Sequence, residues 1–150
     1  MQVSDIMHTE VVTVRADQTF AEAARVLREH RISSVIVQGE EGPAGIVTER
    51  DFVNLVSDGQ DPAAVSVGQR MTRELATVEP RTDIADAAGV MAERGVRHLP
   101  VMDRGGLVGI ISIRDVTSWA VQELTGGHEL PDIERSSAAL TAAVEVERTS

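Results

Sequence analysis

The stretch GIVTERD at residues 45–51 returns as GIISIRD at residues 109–115, with every letter shifted by 64 positions. The same shift pairs residues 7–52 with residues 71–116 without a gap, and 15 of the 46 pairs are identical. Self-similarity of this length at a fixed spacing is the mark of an internal repeat. The sequence therefore predicts two structurally equivalent halves.

Each half predicts the same order of elements, namely strand, helix, strand, strand, helix. The first helix opens with the capping-box pair Thr19 and Glu22, and its apolar residues recur at helical spacing. Turns that contain glycine separate the later strands. The predicted ranges are 11–14, 19–30, 34–37, 44–47 and 49–57 in the first half, and 75–78, 83–94, 98–102, 107–111 and 113–124 in the second.

The stretch SDGQDPAAVS at residues 57–66 is rich in turn formers and predicts the connection between the halves. We assign residues 1–57 to the first repeat, 58–66 to a linker and 67–125 to the second repeat. Residues 126–150 form a C-terminal tail, which we expect to be either disordered or a short helix.

Composition narrows the class of protein. The chain of 150 residues has a formal net charge of -10 and no cysteine, which argues against nucleic acid as a partner and against a disulfide framework. The first ten residues, MQVSDIMHTE, do not read as a secretory signal, and no apolar run is long enough to span a membrane. We therefore expect a soluble, cytoplasmic protein without a membrane partner.

Within the repeated stretch, a hydroxyl residue precedes an aspartate by three positions, as Thr48 before Asp51 and Ser112 before Asp115. This spacing is typical of a capping box at a helix N-terminus. A carboxylate at such a place can also accept hydrogen bonds from a ribose diol, while the hydroxyl and nearby amides face phosphate. Capping and ligand binding can coexist, so both interpretations stay open.

The duplicated G-h-h-[ST]-x-x-D sequences, together with RISSVIV at residues 31–37 and GVRHLPV at residues 95–101, resemble cystathionine-β-synthase (CBS) domains. The resemblance covers roughly residues 1–125 and is that of a tandem pair. It implies an α/β (α+β) fold in which two β-α-β-β-α repeats pack with pseudo-twofold symmetry through their sheets. It also implies two clefts that bind adenosine-containing ligands, including AMP, ADP, ATP and S-adenosylmethionine.

For each cleft, the resemblance implies a ribose-binding carboxylate, its hydroxyl partner and two apolar residues that complete an adenine pocket from the opposite half. These are Asp115, Ser112, Val12 and Ile32 in one cleft, and Asp51, Thr48, Ala76 and Val96 in the other. Burial in the core alone would equally explain the four apolar residues.

Arg97 and His98 fall where related modules place basic side chains that reach phosphates. The alternative is a surface arginine and a histidine at a strand edge. The first half has Ser33 and Ser34 at these positions, so we expect unequal phosphate binding. Arg50 and Arg114 fit solvated residues of a first helical turn better than ligand contacts.

The resulting prediction is a regulatory module that senses adenine nucleotides, with AMP, ADP or ATP as a regulatory ligand and no required cofactor. The alternative is an interaction or scaffold module whose clefts do not bind. An enzyme is not expected, because there is no cysteine nucleophile, no P-loop and no metal-ligand spacing among the four histidines. Apolar residues on several sides of the closing helices predict a homodimer, and signalling implies an unidentified effector protein.

Overall fold

A computed structural model describes residues 1–126. It divides into two compact units, Met1–Val116 and a second that begins at Thr117. Within the described residues, the second unit consists of the remainder of the last helix and a turn. The elements are a 3-10 turn (Val3–Asp5), β1 (Thr13–Arg15), α1 (Phe20–His30), β2 (Ser34–Gly39), β3 (Gly42–Thr48), α2 (Glu49–Ser57), α3 (Val67–Arg70), α4 (Ile84–Arg94), β4 (His98–Asp103), β5 (Gly106–Ser112) and α5 (Ile113–Leu124).

The first helix of each half begins at a side chain that caps it. The predicted box of α1 is confirmed, since Thr19 N donates to Glu22 Oε2 at 2.9 Å and Glu22 N donates to Thr19 Oγ1 at 3.1 Å. In α4, the carboxylate of Asp83 accepts from Ala85 N at 2.8 Å. Both helices end at a left-handed residue, Arg31 and Gly95, which closes the last turn.

The two consecutive strands predicted in each half are present and pair antiparallel, as β2 with β3 and β4 with β5. In the first half, β1 adds a parallel strand beside β2, with Thr13 opposite Ile36. The two closing helices, α2 and α5, follow β3 and β5 as predicted. The mixed α+β fold class is thereby confirmed.

The predicted strand at residues 75–78 is wrong in extent, because only Val78 pairs, in a single bridge to Val101. In the first half, Ile36 N donates to Val12 O at 3.4 Å. The residue equivalent to Ile36 is Pro100, which has no N–H to donate. The second half therefore lacks this hydrogen bond, and the strand is reduced to one residue.

Each half is completed by a segment from outside its own part of the sequence. We call residues 1–8 and 62–72 the exchanged segments. His8 exchanges two backbone hydrogen bonds of 2.9 Å with Ile110 on β5, and Thr72 exchanges two of 3.0 Å with Ile46 on β3. The hydrophobic core around α1 accordingly contains Val67 from the second exchanged segment. The two repeats thus share their backbone pairing.

This crossing explains the glycine that opens both copies of the repeated stretch. A Cβ atom on Gly45 would lie 2.8 Å from Thr72 O, and one on Gly109 would lie 3.0 Å from His8 O. Cβ atoms essentially never show the first distance, and the second is tighter than nine in ten Cβ contacts, so each carbonyl group would have to shift. Glycine at these positions allows the exchanged segment to lie against the strand.

The assigned repeat boundaries and linker remain predictions, and the predicted tail lies outside the described residues from 127 onward. In the part that is described, none of the helices combines the length and the apolar composition that crossing a membrane requires.

Candidate functional site

The Asp115 corner lies where β5 passes into α5. Ser112 donates to Asp115 Oδ2 from its backbone N at 2.7 Å and from its hydroxyl at 2.8 Å. Asp115 N lies 3.3 Å from Ser112 Oγ, which accepts the return hydrogen bond. The capping interpretation is confirmed here, and the carboxylate is held in one orientation.

The Asp51 corner repeats this arrangement between β3 and α2. Thr48 N donates to Asp51 Oδ2 at 2.7 Å, and Thr48 Oγ1 lies 3.4 Å from the same oxygen. Among residues 1–126, no hydrogen-bond donor reaches Asp51 Oδ1. Capping therefore uses one carboxylate oxygen and leaves the other without a protein donor in the described part of the chain.

The two corners are joined by a hydrogen bond between the repeats. His98 lies opposite Ser112 in the β4–β5 ladder, and its Nε2 atom is 2.9 Å from Ser33 Oγ of the first half. The residues that flank the paired strands are also hydrogen-bonded within each half: Glu49 N donates to Ser33 O beside β2 and β3, and Ile113 N donates to Arg97 O beside β4 and β5. His98 thus has a protein partner within the described residues, and its role toward phosphate remains a prediction.

Burial lowers the pKa of His98 below its usual value, because the imidazolium loses hydration between the repeats. The negative charges of Asp115 and Glu49 oppose this shift, and the positive charges of Arg97 and Arg114 add to it. Neutral His98 is therefore the form that the fold favours.

The lowered pKa of His98 predicts a loss of stability in mild acid. The unfolded chain takes up the histidine proton near pH ~6.5, before the folded chain does, so the free energy of unfolding should fall as the pH drops through that region. The loss should level off below the folded pKa. Urea unfolding of the wild type and His98→Gln between pH 8 and pH 5 measures it, and parallel pH profiles would contradict the prediction.

His8 is the site residue that the sequence analysis missed. Its Nε2 atom lies 2.8 Å from Asp115 Oδ1, the oxygen that Ser112 does not contact. The repeat alignment shows His8 only as the counterpart of Thr72. The only available signal was this difference in residue type, and it does not reveal a partner 107 positions away.

The four apolar residues assigned to the adenine pockets are all half-buried. Val12 and Ile32 also pack against the core around α1, so core packing explains part of their burial. The Arg97 side chain is exposed, as are those of Arg50 and Arg114. The ligand-binding roles of Val12, Ile32, Ala76, Val96 and Arg97 remain predictions.

Chemically, the site consists of two fixed carboxylates at helix N-termini, each beside a hydroxyl group. Carboxylate oxygens accept hydrogen bonds from neighbouring hydroxyls such as a ribose diol, and the helix N-termini favour anionic groups. Among residues 1–126, no three or more histidine, aspartate or glutamate side chains form a group that could hold a metal ion.

Residues 3–58 and 65–121 each match the family model of the CBS domain. The CBS domain-containing protein YhcV of Bacillus subtilis is 32% identical over 135 residues, which cover 87% of this chain and 94% of that protein. The uncharacterized protein MK0525 of Methanopyrus kandleri is 35% identical over 119 residues, 77% of this chain. The chain spans only 61% of the length of this second relative.

Solved structures share the fold over most of the chain. A hexameric CBS-CP12 protein from bloom-forming cyanobacteria has a TM-score of 0.76 at 30% identity, covering 97% of this chain and 86% of that one. The CBS domain pair of the protein MJ0100, in complex with 5′-methylthioadenosine and S-adenosyl-L-methionine, has a TM-score of 0.76 at 22% identity, covering 82% and 98%. The two family matches and the shared fold lead to one conclusion: this chain belongs to the CBS domain family and carries the domain twice, as a tandem pair.

Proposed function

We propose that this protein is a regulatory module that binds adenosine-containing nucleotides in two clefts, at Asp51 and Asp115. The observation that carries the proposal is the Asp51 carboxylate, whose Oδ2 is fixed by Thr48 while Oδ1 has no donor among the described residues. A preoriented carboxylate with an open oxygen suits the two donors of a ribose diol. The complexes of MJ0100 support the choice of adenosine compounds only through the shared fold.

In each cleft, the assigned residues would contact different parts of the ligand. The carboxylate and hydroxyl bind the ribose, the apolar pair packs against adenine, and Arg97 with His98 faces phosphate at the Asp115 cleft. The candidate ligands are AMP, ADP, ATP and S-adenosylmethionine. For AMP and ATP as ligands, the proposed role is energy sensing. A ligand that bridges both repeats produces a signal only through different affinities for two arrangements.

Calorimetric titration with AMP, ATP and S-adenosylmethionine tests this function. We expect binding by the wild type and a loss of at least about tenfold in affinity at one site in each of Asp51→Asn and Asp115→Asn. The reason is that a charged hydrogen bond contributes about 1.5–3 kcal/mol, and about 1.4 kcal/mol corresponds to tenfold. Asp86→Asn, on the exposed first turn of α4, is the matched control and should bind normally.

The second candidate is a scaffold module with non-binding clefts. It is favoured by one observation, namely that both oxygens of Asp115 already have protein partners, Ser112 and His8. Absence of binding by all three compounds up to millimolar concentration would support the scaffold and contradict the nucleotide sensor.

We further propose that the protein acts without catalysis, as a homodimer in the cytoplasm, and passes its signal to an effector protein. Val53 and Val56 on α2 are 66% and 63% exposed, and an apolar surface on one helix suits a contact between copies.

A further inference from the structure

We propose that His8 is a specificity-determining latch on the Asp115 cleft. Its imidazole is hydrogen-bonded to the carboxylate oxygen that a ribose diol requires. A nucleotide therefore binds first in the Asp51 cleft, and it binds in the Asp115 cleft only after the His8 side chain moves away. This inference rests on the proposed function, and it assigns unequal affinities to two sites that the repeated sequence makes look alike.

The acceptor positions of Asp115 are largely taken. Its Oδ2 accepts two hydrogen bonds from Ser112, of 2.7 and 2.8 Å, and its Oδ1 is 2.8 Å from His8 Nε2. A carboxylate offers roughly four lone-pair positions, so a single one is left for a ligand with two adjacent hydroxyls. Bidentate binding of a diol thus requires the imidazole to leave.

The latch can open without unfolding the protein. The backbone of His8 is held by its two 2.9 Å hydrogen bonds to Ile110, which keep the residue beside the site in either state. Its side chain is 66% exposed, whereas that of Asp115 is 15% exposed. A change of His8 rotamer moves the ring into water and uncovers the carboxylate.

The Asp51 corner lacks this device. Thr72 holds the place equivalent to His8, with the same pair of backbone hydrogen bonds, here to Ile46. No hydrogen bond joins its hydroxyl to Asp51 within the described part of the chain. One difference in residue type, His8 against Thr72, therefore accounts for the unequal corners.

The chain supplies its own test variant, His8→Thr, which copies Thr72. AMP and S-adenosylmethionine are titrated in two backgrounds, Asp51→Asn to isolate the Asp115 cleft and Asp115→Asn to isolate the Asp51 cleft. We expect His8→Thr to raise affinity about five- to tenfold in the Asp51→Asn background, the worth of one competing hydrogen bond. In the Asp115→Asn background it should change nothing. His8→Gln, which keeps a donor of similar reach, should behave as the wild type.

Two results would overturn the latch while the nucleotide sensor stands. In the first, the wild type binds, but His8→Thr gives no gain in affinity, or a loss, in the Asp51→Asn background. In the second, His8→Thr raises the affinity equally in both backgrounds. Failure of both compounds to bind the wild type and His8→Thr alike contradicts the proposed function and the latch together. Circular dichroism of every variant establishes that the fold is kept.

Discussion

Replacing Phe20 by alanine should lower the free energy of unfolding by about 3–5 kcal/mol, the largest effect that we expect from a single substitution. Phe20 is fully buried at the start of α1, and its ring meets that of Phe52 edge to face at a centroid distance of 5.1 Å. Truncation leaves a cavity in the core that joins α1 to the second exchanged segment.

Urea unfolding followed by circular dichroism measures the loss. Glu29→Ala is the matched control, because Glu29 is exposed on the same helix and its truncation should change stability by less than about 0.5 kcal/mol. Equal effects of the two substitutions would show that Phe20 does not fill the core as described.

Gly45→Ala and Gly109→Ala should each destabilise the protein by about 1–3 kcal/mol, through overpacking. The added methyl group of Gly45→Ala would meet the backbone oxygen of Thr72 at 2.8 Å, and that of Gly109→Ala would meet the oxygen of His8 at 3.0 Å. The neighbouring methionine side chains can move aside, but these carbonyl groups are held by hydrogen bonds to the strands.

Gly89→Ala provides the contrast within the same chain. Gly89 lies in α4 with nothing within 4 Å of an added Cβ, so alanine should stabilise the helix by about 0.5–1 kcal/mol. The three variants are compared by urea unfolding. A stabilising Gly45→Ala or Gly109→Ala would contradict the close crossing of strand and exchanged segment.

The helices could be predicted from the sequence because their signals are local. The capping box at Thr19 and the apolar spacing of α1 depend only on residues a few positions apart, and the internal repeat predicts the same helix at α4. The repeat also placed Asp51 and Asp115 at equivalent strand-to-helix corners. The shortening of the strand at residues 75–78 could also have been predicted. Pro100 stands at the position equivalent to Ile36, and a strand that pairs with it receives no hydrogen bond from its backbone nitrogen.

The contacts between the halves could not be predicted in the same way. The bonds of His8 to Asp115 and of Ser33 to His98 join residues 107 and 65 positions apart. The aligned repeats match each residue with its own counterpart, not with the partner that it meets across the interface. Periodicity and capping carry no information on such pairs, so the difference between the two corners emerged only from the structure.

The exchanged segments have a consequence for how this chain acquires its native state. Neither repeat contains all the segments that pair with its own strands, so cutting the linker would yield two incomplete pieces and not two autonomous modules. The contact of His8 with Ile110 spans most of the polypeptide. Forming it costs the entropy of closing a long loop before packing can stabilise the fold. Duplication has given this protein two equivalent strand-to-helix corners, but its two repeats must still fold together.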